Sequence, residues 1–247
     1  MKNILILTIL CCAVSAARGQ LFDTSAAQVE TVTRLMGTGR VFSATVTVSR
    51  QKGKKQVKIA ENRIAVNGDN LRVEHKPLLE PSLAKQTERL KQAGVDTVIT
   101  LLLSKPNKAY MMFPAKKAYI EAIVESPDAK AKPAHTESKF LRMETVDGHP
   151  CAVREMTIVN ADESRQVITI WEATDLKNFI LKSQMDHGDD SMEVLHFTNI
   201  NTEKPDDSLF TLPAAYRKLG NGAAGEIVQM MMDFDLDRDA ALAETLR

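Results

Sequence analysis

The sequence predicts a mainly β (α+β) fold, a curved antiparallel sheet or incomplete β-barrel of about ten to twelve strands covered by helices. The first observation is the strand pattern of residues 41–49, in which apolar and small polar side chains alternate. The second is a set of tight-turn signals, such as Asn67-Gly68 and Asp147-Gly148, between runs of strand length. The third is the strand count itself, because a flat open sheet of that size curls.

Residues 1–19 have the form of a secretory signal peptide. Lys2 gives a basic start, Ile4 to Val14 form an apolar run too short to span a bilayer as a stable helix, and Ser15 to Ala17 are small residues suited to cleavage. No other run is long enough for a transmembrane helix. We therefore expect a soluble mature protein in the periplasm or secreted.

Cleavage of the signal peptide removes two of the three cysteines. Cys11 and Cys12 would be lost, and the Ile9-Leu10 pair before them lacks the small residues of a lipoprotein signal. Cys151 is then the one thiol of the mature chain and has no partner for an internal disulfide. Stability must therefore come from a packed core.

Composition limits the classes of function. The chain carries 32 basic and 32 acidic residues, which argues against a polyanion-binding surface and against nucleic acid as a partner. Hydrophobic residues make up 44% of the chain, enough for one core. We expect one domain over residues 20–221, followed by an acidic, amphipathic helical tail over residues 222–247.

The first half of the chain gives two helical patterns and a meander of strands. Ser25 to Met36 and Leu83 to Ala93 have helical spacing, and Gly37 and Gly94 act as stop signals. Residues 41–49 form the clearest strand, and further strands are predicted at residues 56–60, 63–66, 71–74 and 95–103. The apolar face of the first strand carries Phe42, Ala44, Val46 and Val48.

The stretch from Lys105 to Glu121 predicts two short strands that meet at a corner at Pro114. Tyr110 and Met112 alternate with Met111 and Phe113, so both faces of the first of these strands are apolar. Such a strand must be covered twice, by a helix or second layer on one side and by a lid, partner or ligand on the other.

The second half resumes the meander after an exposed loop at residues 125–137. Strands are predicted at residues 140–146, 151–159, 166–173, 179–185 and 192–200, with polar turns between them.

A series of short motifs now carries a resemblance. In order along the chain they are Phe42-Ser43-Ala44, Asn70-Leu71-Arg72-Val73, Asn107-Lys108-Ala109-Tyr110 with Pro114 and Tyr119-Ile120-Glu121, Asp147-Gly148-His149-Pro150-Cys151, Trp171-Glu172-Ala173 and Leu212-Pro213-Ala214-Ala215-Tyr216. Over about residues 22 to 219 the chain resembles a bacterial periplasmic family of unknown function, which is itself similar to the lipoprotein-localisation carriers of the LolA and LolB type.

The resemblance implies a LolA-like half-barrel closed by helices around an apolar cavity that holds acyl chains. The residues expected to line it are Phe42, Ala44, Val46, Val48, Tyr110, Met112 and Trp171. The expected partners are a lipid, a fatty acid or an acylated protein, with transient contacts to envelope proteins, no cofactor and a monomeric state. The chain has no lipobox, which argues against a membrane-anchored receptor role.

Two other groups of residues have an alternative interpretation. His149-Pro150-Cys151 could form a Cys/His nucleophile, although a buried structural thiol explains the cysteine without an activating group. Trp171 could form the floor of a cavity or simply pack in the core. With no acid, base and nucleophile constellation, we do not expect an enzyme.

The tail contains a weak calcium-loop pattern. Asp233, Asp235, Asp237, Asp239 and Glu244 occupy positions 1, 3, 5, 7 and 12 of such a loop, but Arg238 stands where the loop requires glycine. A charged amphipathic helix through Ile227, Met230, Met231 and Phe234 explains the same residues, and we expect no metal.

Two classes of function remain open. A binding or carrier protein would hold a lipid or acylated ligand in an apolar cavity, in lipoprotein or lipid trafficking. A non-catalytic structural or protein-interaction module of the envelope would have the same fold with a core filled by its own side chains.

The signal sequence gives a direct prediction. Protein isolated from its own cells should begin between Ala17 and Gln20, because the small residues that precede this stretch suit signal peptidase. N-terminal sequencing of the isolated protein measures this, and an intact Met1 would contradict it.

Overall fold

The computed structural model describes residue 36 and residues 40–77, 84–105, 108–123, 135–159, 165–186 and 190–246. The signal peptide and, apart from Met36, the helix expected at Ser25 to Met36 lie outside these residues. The described chain forms two α-helices, α1 (Ala84–Gln92) and α2 (Asn221–Thr245). It also forms twelve strands: β1 (Val41–Lys52), β2 (Lys55–Asn67), β3 (Asn70–Pro77), β4 (Val98–Leu103), β5 (Lys108–Phe113), β6 (Ala118–Ile123), β7 (His135–Val146), β8 (His149–Val159), β9 (Arg165–Ala173), β10 (Phe179–Asp186), β11 (Met192–Asn201) and β12 (Arg217–Lys218).

All twelve strands belong to one open sheet in the order β12-β6-β5-β4-β3-β2-β1-β11-β10-β9-β8-β7. Two antiparallel meanders, β1–β6 and β7–β11, are joined where β1 pairs with β11, with Val46 opposite Phe197. The predicted mainly β fold, a large open antiparallel sheet covered by helices, is confirmed. The sequence did not predict β12, a two-residue strand that runs parallel to β6.

Most strand predictions differ from the structure only at their ends, but one differs in kind. Residues 56–60 and 63–66 were expected as separate strands, whereas the structure has one continuous β2. A change of register between Val48 and Ser49 on β1 leaves Ile59 as the extra residue of β2. A β-bulge of this kind bends a strand without ending it, so the break in the apolar alternation did not mark a turn.

Gly94 ends α1 as predicted. It adopts a left-handed backbone with φ of 65°, and its N–H donates to the carbonyl of Lys91 at 2.8 Å. A Cβ at this position would lie 3.0 Å from Cγ of Lys116. The turn before β6 therefore passes close to the end of α1, where a larger residue would require Lys116 to shift.

We call the side of the sheet that carries Phe42, Ala44, Val46 and Val48 the helix face. These four residues are buried in the largest core cluster, which also contains Leu242 of α2. Phe179 packs edge-on against Phe42, with ring centroids 5.0 Å apart, and against Phe197 at 5.9 Å. Both meanders thus contribute aromatic side chains to one core beneath α2.

We call residues 207–216 the strap. This segment crosses the opposite side of the sheet and buries Phe210 against a cluster of Ala65, Ile99, Leu101, Tyr110 and Met112. Asn67 Nδ2 donates to Asp207 Oδ1 at 3.1 Å, and the strap leads into β12, where the N–H of Arg217 donates to the carbonyl of Lys117 at 3.0 Å. The strap therefore covers the second face of β5.

The double cover predicted for β5 is confirmed. Met111 and Phe113 pack in a cluster with Leu90 of α1 and Phe234 of α2. Tyr110 and Met112 pack under the strap. A strand that is apolar on both faces is thus covered by helices on one side and by a segment of the same chain on the other, without need of a ligand.

Val46 provides a test of this core. Its exposed fraction is 0%, so Val46→Asp should place an unpaired carboxylate in a dry interior and lower the free energy of unfolding by about 3 kcal/mol or more. The control is Thr45→Asp on the other face of β1, opposite Arg63, which should have little effect. Denaturant unfolding of both variants measures the difference, and equal stabilities would contradict the described core.

Candidate ligand-binding face

The four residues of the predicted apolar row lie together on the helix face. Phe42 and Ala44 stand opposite Val66 and Ile64 of β2, and Val46 stands opposite Phe197 of β11. All four are buried in the core cluster that also contains Leu242 of α2 and Met36. In this structure the row belongs to a closed core, so access for a ligand requires the residues that cover it, Leu242 of α2 among them, to move.

Tyr110 and Met112 do not share this face, which corrects the expected set of lining residues. Ile64 of the helix face stands opposite Val73, Val73 opposite Thr100, and Thr100 opposite Met111. Tyr110 and Met112 alternate with Met111 and therefore point to the strap side. The sequence left this open because both faces of β5 are apolar.

Trp171 is buried in the same core cluster as Phe42, Ala44, Val46 and Val48. It stands opposite Lys182 of β10. The Lys182 ammonium lies 4.4 Å from the centroid of the Trp171 ring, a cation–π contact. The indole is buried in this packing. Of the two interpretations of Trp171, core packing therefore fits the structure.

A buried ionic cluster connects the helix face to α2, and the sequence interpretation missed it. Arg50 on β1 and Glu193 on β11 are nearly inaccessible, and Arg50 Nη2 lies 3.7 Å from Glu193 Oε2 and 3.7 Å from Oδ1 of Asp239 on α2. Arg238, which is also buried, lies 3.0 Å from Asp235 and 3.4 Å from Asp239. The cluster thus holds charged groups between the sheet and its cover.

The position of Arg50 in the sequence indicates that its side chain is buried. It continues the alternation of Phe42, Ala44, Val46 and Val48 by one more step, so an arginine occupies the next place in an otherwise apolar row. Charged side chains are rarely buried unless they are paired. The pattern therefore indicated a buried partner, although it did not indicate which acid supplied it.

The helix α2 contacts the sheet through a narrow stripe. Its buried residues are Ile227, Phe234, Arg238 and Leu242, spaced seven, four and four residues apart, which places them on one side of a helix. Leu236, on the same helix, is 69% exposed. A single buried stripe that contains an arginine is a weaker anchor than a broad apolar face.

The structure does not support the calcium-loop alternative for the tail. Asp233, Asp235, Asp237, Asp239 and Glu244 all lie within α2, where consecutive residues rotate by 100° about the axis and do not surround a single point. Gln229 Nε2 donates to Asp233 Oδ1 at 2.8 Å, and Asp235 and Asp239 pair with Arg238. Within the described residues, no group of three or more His, Cys, Asp or Glu side chains is arranged to hold a metal ion.

A cleft of about 310 Å³ lies between α1 and α2. Leu90, Met230 and Phe234 are its apolar lining, and its polar lining consists of Arg89, Glu226, Gln229, Asp233 and Asp237. This cleft contains none of the residues predicted to line the cavity. It marks the place where the contact between the two covering helices is incomplete.

Cys151 is free and buried, as predicted. Burial raises the pKa of its thiol, which disfavours the thiolate required of a nucleophile. His149 does not activate it, because its Nδ1 lies 2.8 Å from Asp175 Oδ2 and the thiol instead faces the His149 carbonyl oxygen at 3.4 Å. The Cys/His alternative therefore has no geometric support.

No family model matches the sequence, and no curated protein matches it. Among solved structures, the chain is similar to a LolA superfamily protein from Nitrosomonas europaea, with 13% identity over 75% of this chain and 96% of that chain and a TM-score of 0.34. It is similar to the lipoprotein LppX from Mycobacterium tuberculosis, with 12% identity over 74% of this chain and 96% of that chain and a TM-score of 0.38. It is also similar to MucB, with 14% identity over 78% of this chain and 64% of that chain and a TM-score of 0.39.

These structures include a LolA superfamily protein, the kind of protein that the sequence motifs resemble. At these identities and TM-scores the likeness concerns the fold alone, and no statement about function rests on it. Neither α1 nor α2 is long and apolar enough to cross a membrane, and the same holds for every helix in the part of the chain that the structure describes.

The ionic cluster gives a second prediction. Arg50→Met should lower the free energy of unfolding by about 3–5 kcal/mol, because the buried Glu193 carboxylate loses its nearest counter-charge on β1. Replacing both residues, as in Arg50→Met with Glu193→Leu, should recover most of the loss.

Denaturant unfolding of the three proteins measures the coupling between Arg50 and Glu193. Lys204→Met serves as the control, because it breaks a solvent-exposed pair with Asp207 and should change stability little. A double variant no more stable than Arg50→Met alone would contradict the assignment.

Proposed function

We propose that the protein is an exported carrier or binding protein that holds a lipid or acylated ligand against the helix face of its sheet, with α2 as a movable cover. The observation that carries this proposal is the contrast between the two surfaces in contact. The largest apolar core cluster of the helix face extends over both meanders, whereas α2 contributes only Ile227, Phe234 and Leu242 as buried apolar side chains. Displacing one helix would expose a large apolar surface.

The free energies involved fit an acyl ligand. Each buried apolar side chain of α2 contributes about 1.5–3 kcal/mol, so the three together hold the helix with about 5–9 kcal/mol. Each buried CH₂ of an acyl chain contributes about 0.8 kcal/mol, so a chain of roughly a dozen carbons offsets the loss of the helix contacts. A short-chain ligand would not displace α2, and a long-chain one would.

The ligand would then lie along Phe42, Ala44, Val46 and Val48. The lining near α1 and α2 includes Met111, Met230 and Met231, whose unbranched side chains adapt to acyl chains of different shape. Arg50, released from Asp239 when the helix moves, would remain at the end of the row and supply a cation for an acidic head group.

A second candidate function rests on a different observation. Val46 and Val48 are fully buried and Phe42 is nearly so, which is also what a permanently filled core would show. On that basis the protein would be a non-catalytic structural or interaction module of the envelope. The two candidates differ in whether α2 can leave the sheet without unfolding the rest.

Leu242 separates the two candidates. In a carrier, Leu242→Ala should weaken the docking of α2 while the sheet stays folded, so that uptake of a fluorescent long-chain fatty acid becomes faster or tighter by several-fold. In a structural module the same change should remove core packing, lower the free energy of unfolding by about 2–5 kcal/mol and give no uptake.

The control is Leu236→Ala, on the same helix but exposed, which should change neither quantity. Fluorescence titration and thermal melting are measured on all three proteins. Native mass spectrometry of protein purified from its own envelope then tests for a bound lipid. Wild-type protein that neither carries nor takes up an amphiphile would overturn the carrier proposal.

A further inference from the structure

The strand β7 is the last strand of the sheet on the side of the second meander, and none of the described strands pairs with its outer edge. It is twelve residues long, and large apolar side chains are exposed on it: Phe140 is 52% and Met143 is 56% exposed. Natural sheets usually shorten, cover or charge their edges, because a long edge with apolar side chains is a template for pairing with another chain. The strand also carries charges and a bulge, so any partner must fit both its exposed apolar side chains and its charges.

The strand carries a β-bulge that changes which residues share a face. Phe140 stands opposite Arg154 and Arg142 opposite Val153, so Leu141 is the extra residue. Met143 stands opposite Ala152, which lies on the same side of β8 as Arg154. Phe140 and Met143 therefore lie on one face although they are three residues apart, and Lys139 and Glu144 lie together on the other.

A second copy of the same strand fits this edge in a specific way. If two copies of β7 pair in antiparallel fashion about a two-fold axis perpendicular to the sheet, opposite residues must lie on the same face. The bulge at Leu141 shifts the alternation of faces by one residue. A residue before Leu141 and a residue after it therefore lie on the same face only when the sum of their residue numbers is odd. Only two registers centred on the bulge satisfy this condition.

Charge distinguishes these two registers. One places Lys139 opposite Arg142 and Glu137 opposite Glu144, so that like charges face each other across the axis, which is unfavourable. The other places Lys139 opposite Glu144 and Phe140 opposite Met143, and symmetry forms each pair twice. The second register therefore joins opposite charges on one face and apolar side chains on the other. The two Arg142 side chains flank the axis, and each is paired with Glu144 of its own chain at 2.8 Å.

We propose that two copies of this chain pair through β7 in the second register and form a two-fold dimer with one continuous sheet. The two helix faces then lie on the same side of that sheet, because the axis is perpendicular to it. A single pair of strand edges is a small interface, so the dimer forms reversibly and depends on concentration. This differs from the monomer expected from sequence and does not depend on whether a ligand binds the helix face.

Reversal of charge tests the proposal. Lys139→Glu should raise the dissociation constant of the dimer about tenfold, because two symmetry-related pairs become repulsive. Glu144→Lys should do the same. The double variant carries the exchanged pair and should restore dimer formation, and sedimentation equilibrium of each protein over a range of concentrations measures this.

Recovery of dimer formation in the double variant distinguishes a contact between two chains from a contact within one chain. Lys139 also stands opposite Glu155 of β8, and Glu144 pairs with Arg142 at 2.8 Å, and the double variant repairs neither of these contacts. A purely structural role would therefore leave the double variant at least as impaired as the single ones. Lys54→Glu, in the exposed β1–β2 turn, is the control for a change of net charge and should leave dimer formation unchanged.

Cross-linking tests the register. A chain with both Lys139→Cys and Glu144→Cys should form disulfide-linked dimers on mild oxidation, because residue 139 of one copy faces residue 144 of the other. The pair Glu137→Cys with Glu144→Cys stands directly opposite only in the rejected register and is offset by two residues in the proposed one, so it should stay largely uncross-linked. A wild-type protein that stays monomeric at all concentrations, a dimer unaffected by both charge reversals, or cross-links in the rejected register would each overturn the proposal.

Discussion

The pairing of β1 with β11 is the contact on which the rest of the structure depends. It joins the first strand of one meander to the last strand of the other, over a separation of about 150 residues in which Val46 meets Phe197 and Arg50 meets Glu193. The neighbouring antiparallel pairs within each meander are local hairpins or short connections. Only this seam makes two half-sheets into one surface, and it is along this seam that Leu242 and Asp239 of α2 make their contacts.

The sequence predicted those parts of the fold that local chemistry determines. The Asn67-Gly68 and Asp147-Gly148 turns require positive φ, which Gly68, Asp147 and Gly148 adopt, so the hairpins around them were predictable. The apolar row of β1 was also recovered because its alternation is regular. The sequence could not show that Tyr110 and Met112 face away from that row, because the face on which a side chain lies depends on the register of several strand pairs, and a bulge shifts that register by one residue. The strap and the ionic cluster were missed because they form through contacts distant in sequence.

The charged residues of α2 explain why the structure is compatible with both candidate functions, the carrier and the structural module. A helix that buried a broad apolar face against the sheet would be an ordinary core element, as α2 would be if Arg238 and its acidic neighbours were apolar. Buried ionic contacts contribute little net stability compared with apolar packing, but they fix where charged partners can sit. The cluster of Arg50, Glu193 and Arg238 thus favours one position of α2 without binding it as strongly as a packed core would.

Most of the cover of both faces comes from the same end of the chain. The strap at residues 207–216 and the helix α2 follow β11, so among the described covering elements only α1 is synthesised before the eleventh strand. During synthesis the growing chain therefore exposes apolar surface on both faces of the sheet, a state that favours aggregation. A cut between Asn201 and Asp207 would break the covalent link between the sheet and both of these covers.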